Sequence, residues 1–244
     1  MKNVILTVKE NIPLTANVFR MTLEGDQSAI TAPGQFVNIQ LAGRFLRRPI
    51  SVCDVEGNLL TLIYKVVGEG TRQMSRLPEG TCLDVLSGLG NGYDLAPSGR
   101  HVLLLGGGAG VPPLYLLAKR LLAEGKKVTA VLGFNTEEEV FYEKEFKALG
   151  ARCLVTTVDG SCGIKGFVTD AFPEDYDYFY TCGPEAMLKA VYRASGTDGQ
   201  FSFEERMGCG FGVCMGCSCR TITGYKRICK DGPVLRKEEI LWND

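Results

Sequence analysis

The chain has 244 residues, 45% of them hydrophobic and 23% charged, with a formal net charge of −1. That length can bury a sizeable core without covalent staples and suggests two or three compact units. The near-neutral balance gives no global attraction to nucleic acid or to an anionic membrane, so neither is expected as a partner.

The first residues, "MKNVILTVKENIPLTANVF", break their apolar run with Lys, Glu, Asn and Pro and lack the unbroken stretch of a secretory signal. Residues 1–98 continue as short strand-like segments such as "NVFRMTLEG", "QFVNIQL", "ISVCDV" and "NLLTLIYKVV", separated by Gly and Pro. This pattern predicts an antiparallel barrel or sandwich, with only "GTRQMSRL" (70–77) reading as helix. Arg47 and Arg48 open the segment "RFLRRPISV", and a forked guanidinium beside an extended strand suits a pyrophosphate. "IYKVVGEGT" (63–71) ends a strand in a glycine turn before the short helix, a second place for phosphate oxygens. A surface cation pair and an ordinary loop remain the alternative for both.

"APSGR" (96–100) has the composition of a linker. Beyond it, "HVLLL", "VPPLYLLAKRLLAEG", "KVTAVLGF", "EEEVFYEKEFKALG" and "RCLVTTV" alternate strand and helix, and "YDYFYTCG" followed by "PEAMLKAVYRAS" repeats the unit. The expected fold of residues 99–200 is a doubly wound parallel sheet with helices on both faces. Its apolar run "VLLLGGGAGVPPLYLLA" is too interrupted to cross a membrane. The glycines precede a helix start, a natural anion site, although the G-x-G-x-x-G fingerprint is incomplete and a structural turn is the alternative. Glu137, Glu138 and Glu139 follow the second strand; near a ribose they would repel a 2′-phosphate and favour NAD, unless they are a solvated helix start. His101, the single histidine, reads as a strand-end residue.

Residues 201–244 are rich in Cys and Gly, as expected of a small ligand-organised module. A cytosolic protein keeps its thiols reduced, so ten cysteines point to a metal site plus buried bystanders, among them Cys53, Cys82, Cys153 and Cys162. Cys209, Cys214 and Cys217 are spaced C-x4-C-x2-C, with Cys229 eleven residues on. That is the plant-type [2Fe–2S] spacing, and Gly208, Gly210, Gly212 and Gly216 let a loop wrap a cluster. A four-thiolate zinc site in a redox-inactive binding module is the rival, but zinc ribbons usually carry two short pairs. Cys219 fits neither pattern. Arg206, Arg220, Lys226, Arg227 and Lys230 flank the ligands and would ease burial of a negative cluster.

These motifs in this order resemble the ferredoxin–NAD(P)+ reductase superfamily. With the C-terminal cysteines, "RRPISV", "GGGAGVPPLY", "YTCGPEAML", "EERMGCGFGVCMGCSCRT" and "YKRICKDGPV" are similar, over essentially the whole chain, to the electron-transfer subunits of dihydroorotate dehydrogenase type B. The resemblance implies that Arg48, Pro49, Ile50 and Ser51 line FAD, with Ile63, Tyr64, Lys65, Gly70 and Thr71 completing its site. It places Gly107, Gly108, Ala109 and Gly110 under the NAD pyrophosphate, and Cys182, Gly183 and Pro184 near the nicotinamide. Glu204 would stand where nicotinamide meets flavin, which makes it and Cys182 the catalytic candidates. Cys209, Cys214, Cys217 and Cys229 would hold the [2Fe–2S] cluster; Ala109, where a bulkier aliphatic is common, is the one departure.

A hydride carries two electrons and a cluster accepts one, so a flavin between them fits the counting. The resemblance further implies a separate FMN-containing catalytic subunit that oxidises dihydroorotate, in a heterotetramer of two plus two, with the cluster near the interface. The same design serving an NADH-dependent ferredoxin–NADP+ reductase or a sulfide dehydrogenase is the nearest alternative.

Overall fold

The structure, a computed structural model, describes residues 1–242. Strands β1 (Lys2–Pro13), β2 (Val18–Glu24), β3 (Phe36–Ile39), β4 (Arg48–Glu56), β5 (Leu59–Lys65) and β6 (Cys82–Leu89) close an antiparallel barrel in the order β1-β2-β5-β4-β3-β6. Alternation closes it: in β6 every second residue, Leu83, Val85, Ser87 and Leu89, is buried. The one helix of this region, α1 (Glu69–Met74), lies where the sequence placed it.

The barrel has one structural opening. β4 and β5 pair from Val52↔Leu62 onward. Among the described residues, Arg48–Ser51 pair only with β3, and Ile63–Lys65 only with β2. The two strands therefore splay, leaving facing backbone edges; Pro49, which has no N–H to donate, is tolerated on such an edge.

The second sheet has seven strands in the order β10-β9-β8-β7-β11-β12-β15. Those met first are β7 (His101–Gly107), β8 (Lys127–Phe134), β9 (Arg152–Thr157), β10 (Ile164–Lys165), β11 (Tyr178–Cys182) and β12 (Gly199–Ser202), and all pair in parallel. Helices α2 (Pro113–Ala123) and α3 (Glu143–Ala148) pack on one face, and α4 (Glu185–Ala194) on the other. The unbroken apolar β7 feeds both: Val102 and Leu104 join the core under α2, while Leu103 and Leu105 join the core under α4.

The cysteine-rich segment forms the hairpin β13 (Ser218–Thr221) and β14 (Gly224–Arg227), then sends β15 (Val234–Arg236) back as an antiparallel edge strand on β12. The expected start of a separate module at residue 201 thus falls within β12. Asn91 fastens the same segment to the end of β6: its N–H donates to Gly232 O at 2.7 Å, and its side chain exchanges bonds with Val234 O and N–H at 2.7 and 3.1 Å. Among the described residues no helix is long and apolar enough to cross a membrane.

Candidate active site

At the barrel opening the arginine strand and the glycine turn meet. A Cβ on Gly70 would stand 1.9 Å from Arg48 Nε, so the guanidinium lies flat on the glycine. Thr71 braces the turn, its Oγ1 accepting from the N–H groups of Val67 and Gly68 at 3.0 and 3.2 Å and donating to Gly68 O. Arg47 points elsewhere, to Asp84 Oδ1 at 2.9 Å and Asp84 O at 3.0 Å, so only one of the two arginines serves the opening. Tyr64 also turns away: its ring sits in the barrel core with its hydroxyl donating to Asn11 Oδ1 at 2.9 Å. Ile63 is buried against the nucleotide domain and Lys65 reaches Glu139 at 3.5 Å, so β5 offers the opening its backbone edge rather than side chains.

The loop after β7 reaches the same place. Gly108–Gly110 form a single 3-10 turn that packs against β5 and leads into α2. Gly108 has φ +50°, and no atom lies within 4 Å of where its Cβ would be, so it presents open backbone. Gly110 is needed for another reason. A Cβ there would fall 2.1 Å from Cys182 O and 2.6 Å from Gly183 N, so the loop and the end of β11 are in backbone contact. A Cβ on Gly107 would meet Met187 Sδ at 2.6 Å and Pro184 Cδ at 3.1 Å. The strand ends and helix start expected to hold one dinucleotide thus form one surface, at the carboxyl ends of adjacent parallel strands.

Cys182 is buried, and burial followed by the nearby Glu204 charge raises its thiol well above the ordinary value. Glu204 is itself accessible to solvent but stands in a recess crowded by protein, and the resulting desolvation raises its carboxyl. It lines a cavity of about 470 Å³ together with Gly183, Pro184, Cys219 and Trp242. A larger cavity of about 880 Å³ lies at the opposite, amino ends of β7–β9, where His101 Nδ1 pairs with Asp175 at 2.8 Å. His101 is a strand-end residue remote from the glycine loop.

The cysteine loop supplies a thiol set. Cys209 Sγ accepts from the N–H groups of Val213 and Cys214 at 3.3 and 3.5 Å, and Cys214 Sγ from those of Cys209 and Gly216 at 3.4 and 3.5 Å. Cys217 Sγ accepts from the Cys229 N–H at 3.4 Å. Burial raises the Cys209 thiol, but the N–H groups of Cys214, Phe211 and Val213 outweigh it and bring it down to about 6. Burial and then the adjacent Cys217 push Cys229 up to about 12. The thiols therefore group as two pairs, 209 with 214 and 217 with 229. Among the described residues no three Cys, His, Asp or Glu side chains surround a single point closely enough for one ion. Two pairs suit a two-iron cluster better than one zinc ion.

Glycines make this loop possible: Gly210 (φ +80°) and Gly212 (φ +90°) take left-handed turns, and a Cβ on Gly208 would stand 3.1 Å from Cys214 Sγ. Arg227 ties the fourth ligand's turn to the loop, donating to Gly212 O at 2.9 Å and to Asp231 at 2.9 and 3.1 Å. Lys226 is paired with Glu239. Of the five flanking cations, these two are neutralised locally rather than spent on the cluster.

Comparison with known proteins agrees with this geometry. Residues 204–241 match the model for the iron–sulfur cluster binding domain of dihydroorotate dehydrogenase B, and residues 104–193 match the oxidoreductase NAD-binding domain. The chain is 44% identical to the dihydroorotate dehydrogenase B (NAD(+)) electron transfer subunit of Fusobacterium nucleatum subsp. nucleatum, over 96% of each chain. It is 45% identical to that of Geobacillus sp. strain WCH70, over 99% of each.

The chain belongs to this family of electron transfer subunits.

Membership carries the oxidoreductase role and the cofactor set expected from the motifs, FAD, a [2Fe–2S] cluster and NAD. A chain from the structure of an NADH-dependent reduced ferredoxin–NADP oxidoreductase superposes with TM-score 0.89 at 34% identity, covering 99% of this chain and 91% of that one. A gonococcal ferredoxin NADP+ reductase, at 16% identity and TM-score 0.69 over 80% of this chain, shares the fold.

Two long-range contacts beside the candidate site left no local signal. Asn38 of β3 donates from Nδ2 to Cys209 O at 3.4 Å, and Lys119 of α2 bonds Asp54 and Glu56 of β4 at 3.0 and 2.6 Å. Both join units far apart in sequence. Of the cysteines read as bystanders, Cys53 and Cys153 are buried, whereas Cys82 is exposed and Cys162 half-buried, because the alternation of β6 turns Cys82 outward.

Proposed function

We propose that the chain is the NAD-facing half of a cytosolic dihydroorotate-oxidising enzyme, partnered by an FMN-containing catalytic subunit in an assembly of two plus two. The observation that carries the reading is the convergence of three candidate sites on shared elements. β3 pairs with β4 at the barrel opening and touches the cysteine loop through Asn38, and Gly107–Gly110 touch both β5 and Cys182–Gly183.

In this reading Arg48 and the backbone of Pro49–Ser51 hold the FAD pyrophosphate and ring edge, with Gly70 giving Arg48 room and Thr71 fixing the turn. The edge at Ile63–Lys65 completes that site through backbone groups. Gly107–Gly110 cradle the NAD pyrophosphate, while Cys182, Gly183 and Pro184 pack beside the nicotinamide. Glu204, crowded yet open to solvent, borders the face where hydride passes. Cys209, Cys214, Cys217 and Cys229 ligate the cluster. FAD held there would supply the chemistry that links a two-electron hydride to single electrons. The chain's own work is positioning, exclusion of water and electrostatics.

The cysteine loop also exposes Phe211, Val213 and Met215 between its ligands. Apolar side chains beside a one-electron centre suit docking of the catalytic subunit. Co-expression with a candidate FMN subunit is expected to give a coloured complex that reduces NAD+ with dihydroorotate. A fully loaded complex inert to dihydroorotate but active with reduced ferredoxin would move the chain to the sister assembly that it matches at 34% identity. A colourless protein with stoichiometric zinc would remove the redox reading altogether.

A further inference from the structure

Asn38 lies between the candidate flavin strand and the cluster loop, and it is 2% exposed. Register places it opposite Pro49 of β4, and its carbonyl accepts from Arg47 Nη1 at 3.3 Å. Its other neighbour, β6, carries an extra residue between the pairs Phe36↔Leu89 and Asn38↔Leu86. A bulge of that kind twists a strand locally and re-aims its side chains. The Asn38 amide is directed out of the barrel wall toward the cysteine loop, where Nδ2 donates to Cys209 O.

The contact is close on both sides. A Cβ on Gly210 would fall 2.3 Å from Asn38 Nδ2, and Gly210 has φ +80°, so a residue larger than glycine fits neither the space nor the turn. The Cys209–Gly210 peptide therefore rests on the amide. That peptide sets where the Cys209 sulfur stands relative to the N–H groups of Val213 and Cys214. Among the described residues Asn38 Oδ1 has no partner, and the side chain's one bond is to the loop.

We propose that Asn38 is a positioning residue for electron transfer: it fixes the Cys209 end of the cluster loop against the flavin strand. It also provides the bonded route between them, from β4 across the β3–β4 ladder into β3 and through the Asn38 side-chain amide to Cys209. Electronic coupling decays more slowly through covalent and hydrogen bonds than across a gap, so this bridge sets the rate of the single-electron step. In that step the flavin, reduced beforehand by NADH, would lose one electron and one ferric ion of the cluster would gain it, with no atom exchanged. The proposal rests on the flavin and cluster assignments above.

The test uses the full-length chain loaded with FAD and iron, as wild type and as Asn38→Asp and Asn38→Ala. Aspartate keeps the shape but loses the donor, which guards against a mere folding defect. The expected result is retained FAD and normal flavin reduction by NADH, with a changed EPR signal of the reduced cluster. Cluster reduction in stopped-flow is expected to slow by about 10- to 100-fold, the usual cost of removing an outer-shell partner. Loss of iron with FAD retained would support the same role. A wild-type EPR signal and transfer rate in Asn38→Asp would overturn it, as would joint loss of FAD and iron, which would mark Asn38 as a barrel residue only. Wild-type protein without flavin or cluster absorption would instead sink the assignments on which it rests.

Discussion

The guanidinium of Arg48 lies against the bare Cα of Gly70, so close that a methyl group there would fall 1.9 Å from Nε. An alanine must push the arginine off the barrel opening. If Arg48 binds the flavin pyrophosphate, Gly70→Ala removes charge-assisted hydrogen bonds of about 1.5–3 kcal/mol, or about 10- to 100-fold in FAD affinity. Fluorescence titration of the flavin-free protein measures this directly. Arg48→Ala is expected to give a similar deficit, and the double variant less than the sum, because both act through one guanidinium. Unchanged FAD affinity in Gly70→Ala, with the barrel intact by circular dichroism, would refute the assignment.

The pairing of thiols predicts which cysteine is dispensable. Cys217 and Cys229 form one pair, buried and joined by the N–H···S bond at 3.4 Å. Cys219 lies in the hairpin opposite Lys226, faces the cavity shared with Trp242, and has its thiol raised by burial and then by Glu205. Cys229→Ser should lose the reduced-cluster EPR signal and most of the bound iron. Cys219→Ser should keep both. The opposite pattern would reassign the fourth ligand.

Local chemistry explains what was legible in the sequence. Cysteine spacing reports one tight loop, glycines report backbone that must approach something, and the change from strand runs to strand–helix alternation reports a change of architecture. Long-range contacts carry no such signal: Asn38 and Cys209 are 171 residues apart, and neither segment hints at the other. Period-two alternation says that neighbours in β5 face opposite ways without saying which faces the barrel interior. The strand Ile63–Lys65 can therefore be placed beside the opening from its sequence, but not the inward turn of the Tyr64 ring, which fills the core. The return of β15 to the second sheet was hidden for a related reason, since three residues, Val234–Arg236, are too short to stand out as a strand.

Lys119 holds the nucleotide domain to the barrel, and its effect depends on pH. Its ammonium contacts Asp54 at 3.0 and 3.2 Å and Glu56 at 2.6 Å. Burial lowers the Lys119 pKa, but the two carboxylates outweigh it and the net direction is upward; Glu56 is lowered by its bond to Lys119. A raised lysine contributes stability below its ordinary value and loses it as pH climbs through the folded value. A lowered glutamate contributes above its ordinary 4.5 and loses that as pH falls through the folded value. The brace is thus strongest between roughly pH 5 and 10. Glu56 is exposed and adds little, whereas removing the cation strands the 9% exposed Asp54, a loss of about 1–3 kcal/mol. Lys119→Ala should lower Tm at pH 7 by about 2–4 °C for each kcal/mol. Thermal scans at pH 7 and at about pH 12 check the sign: the gap to wild type narrows as the lysine loses its proton, and an equal gap at both would exclude the ionic account.

The last prediction concerns the choice between the two pyridine nucleotides. Of the three glutamates after β8, Glu139 is fixed: it accepts from Asn135 N–H and Nδ2 at 3.2 and 2.7 Å and pairs with Lys65 at 3.5 Å. Burial raises its carboxyl, but the Asn135 and Lys65 contacts outweigh that and the net direction is downward, so it is an anion at neutral pH. It stands beyond the carboxyl end of a strand adjacent to the glycine loop, where a ribose belongs in this architecture. A fixed anion there opposes a 2′-phosphate by about 1–3 kcal/mol at an intermediate effective dielectric. Glu139→Gln keeps the acceptor while removing the charge, and should raise the ratio of NADPH to NADH flavin-reduction rates by about tenfold at low salt. The gain should shrink at high salt, since exposed charges are screened over about 10 Å at 0.1 M. A ratio that does not move in Glu139→Gln, with NADH reduction intact, would remove Glu139 from nucleotide selection and leave it as the partner of Asn135 and Lys65.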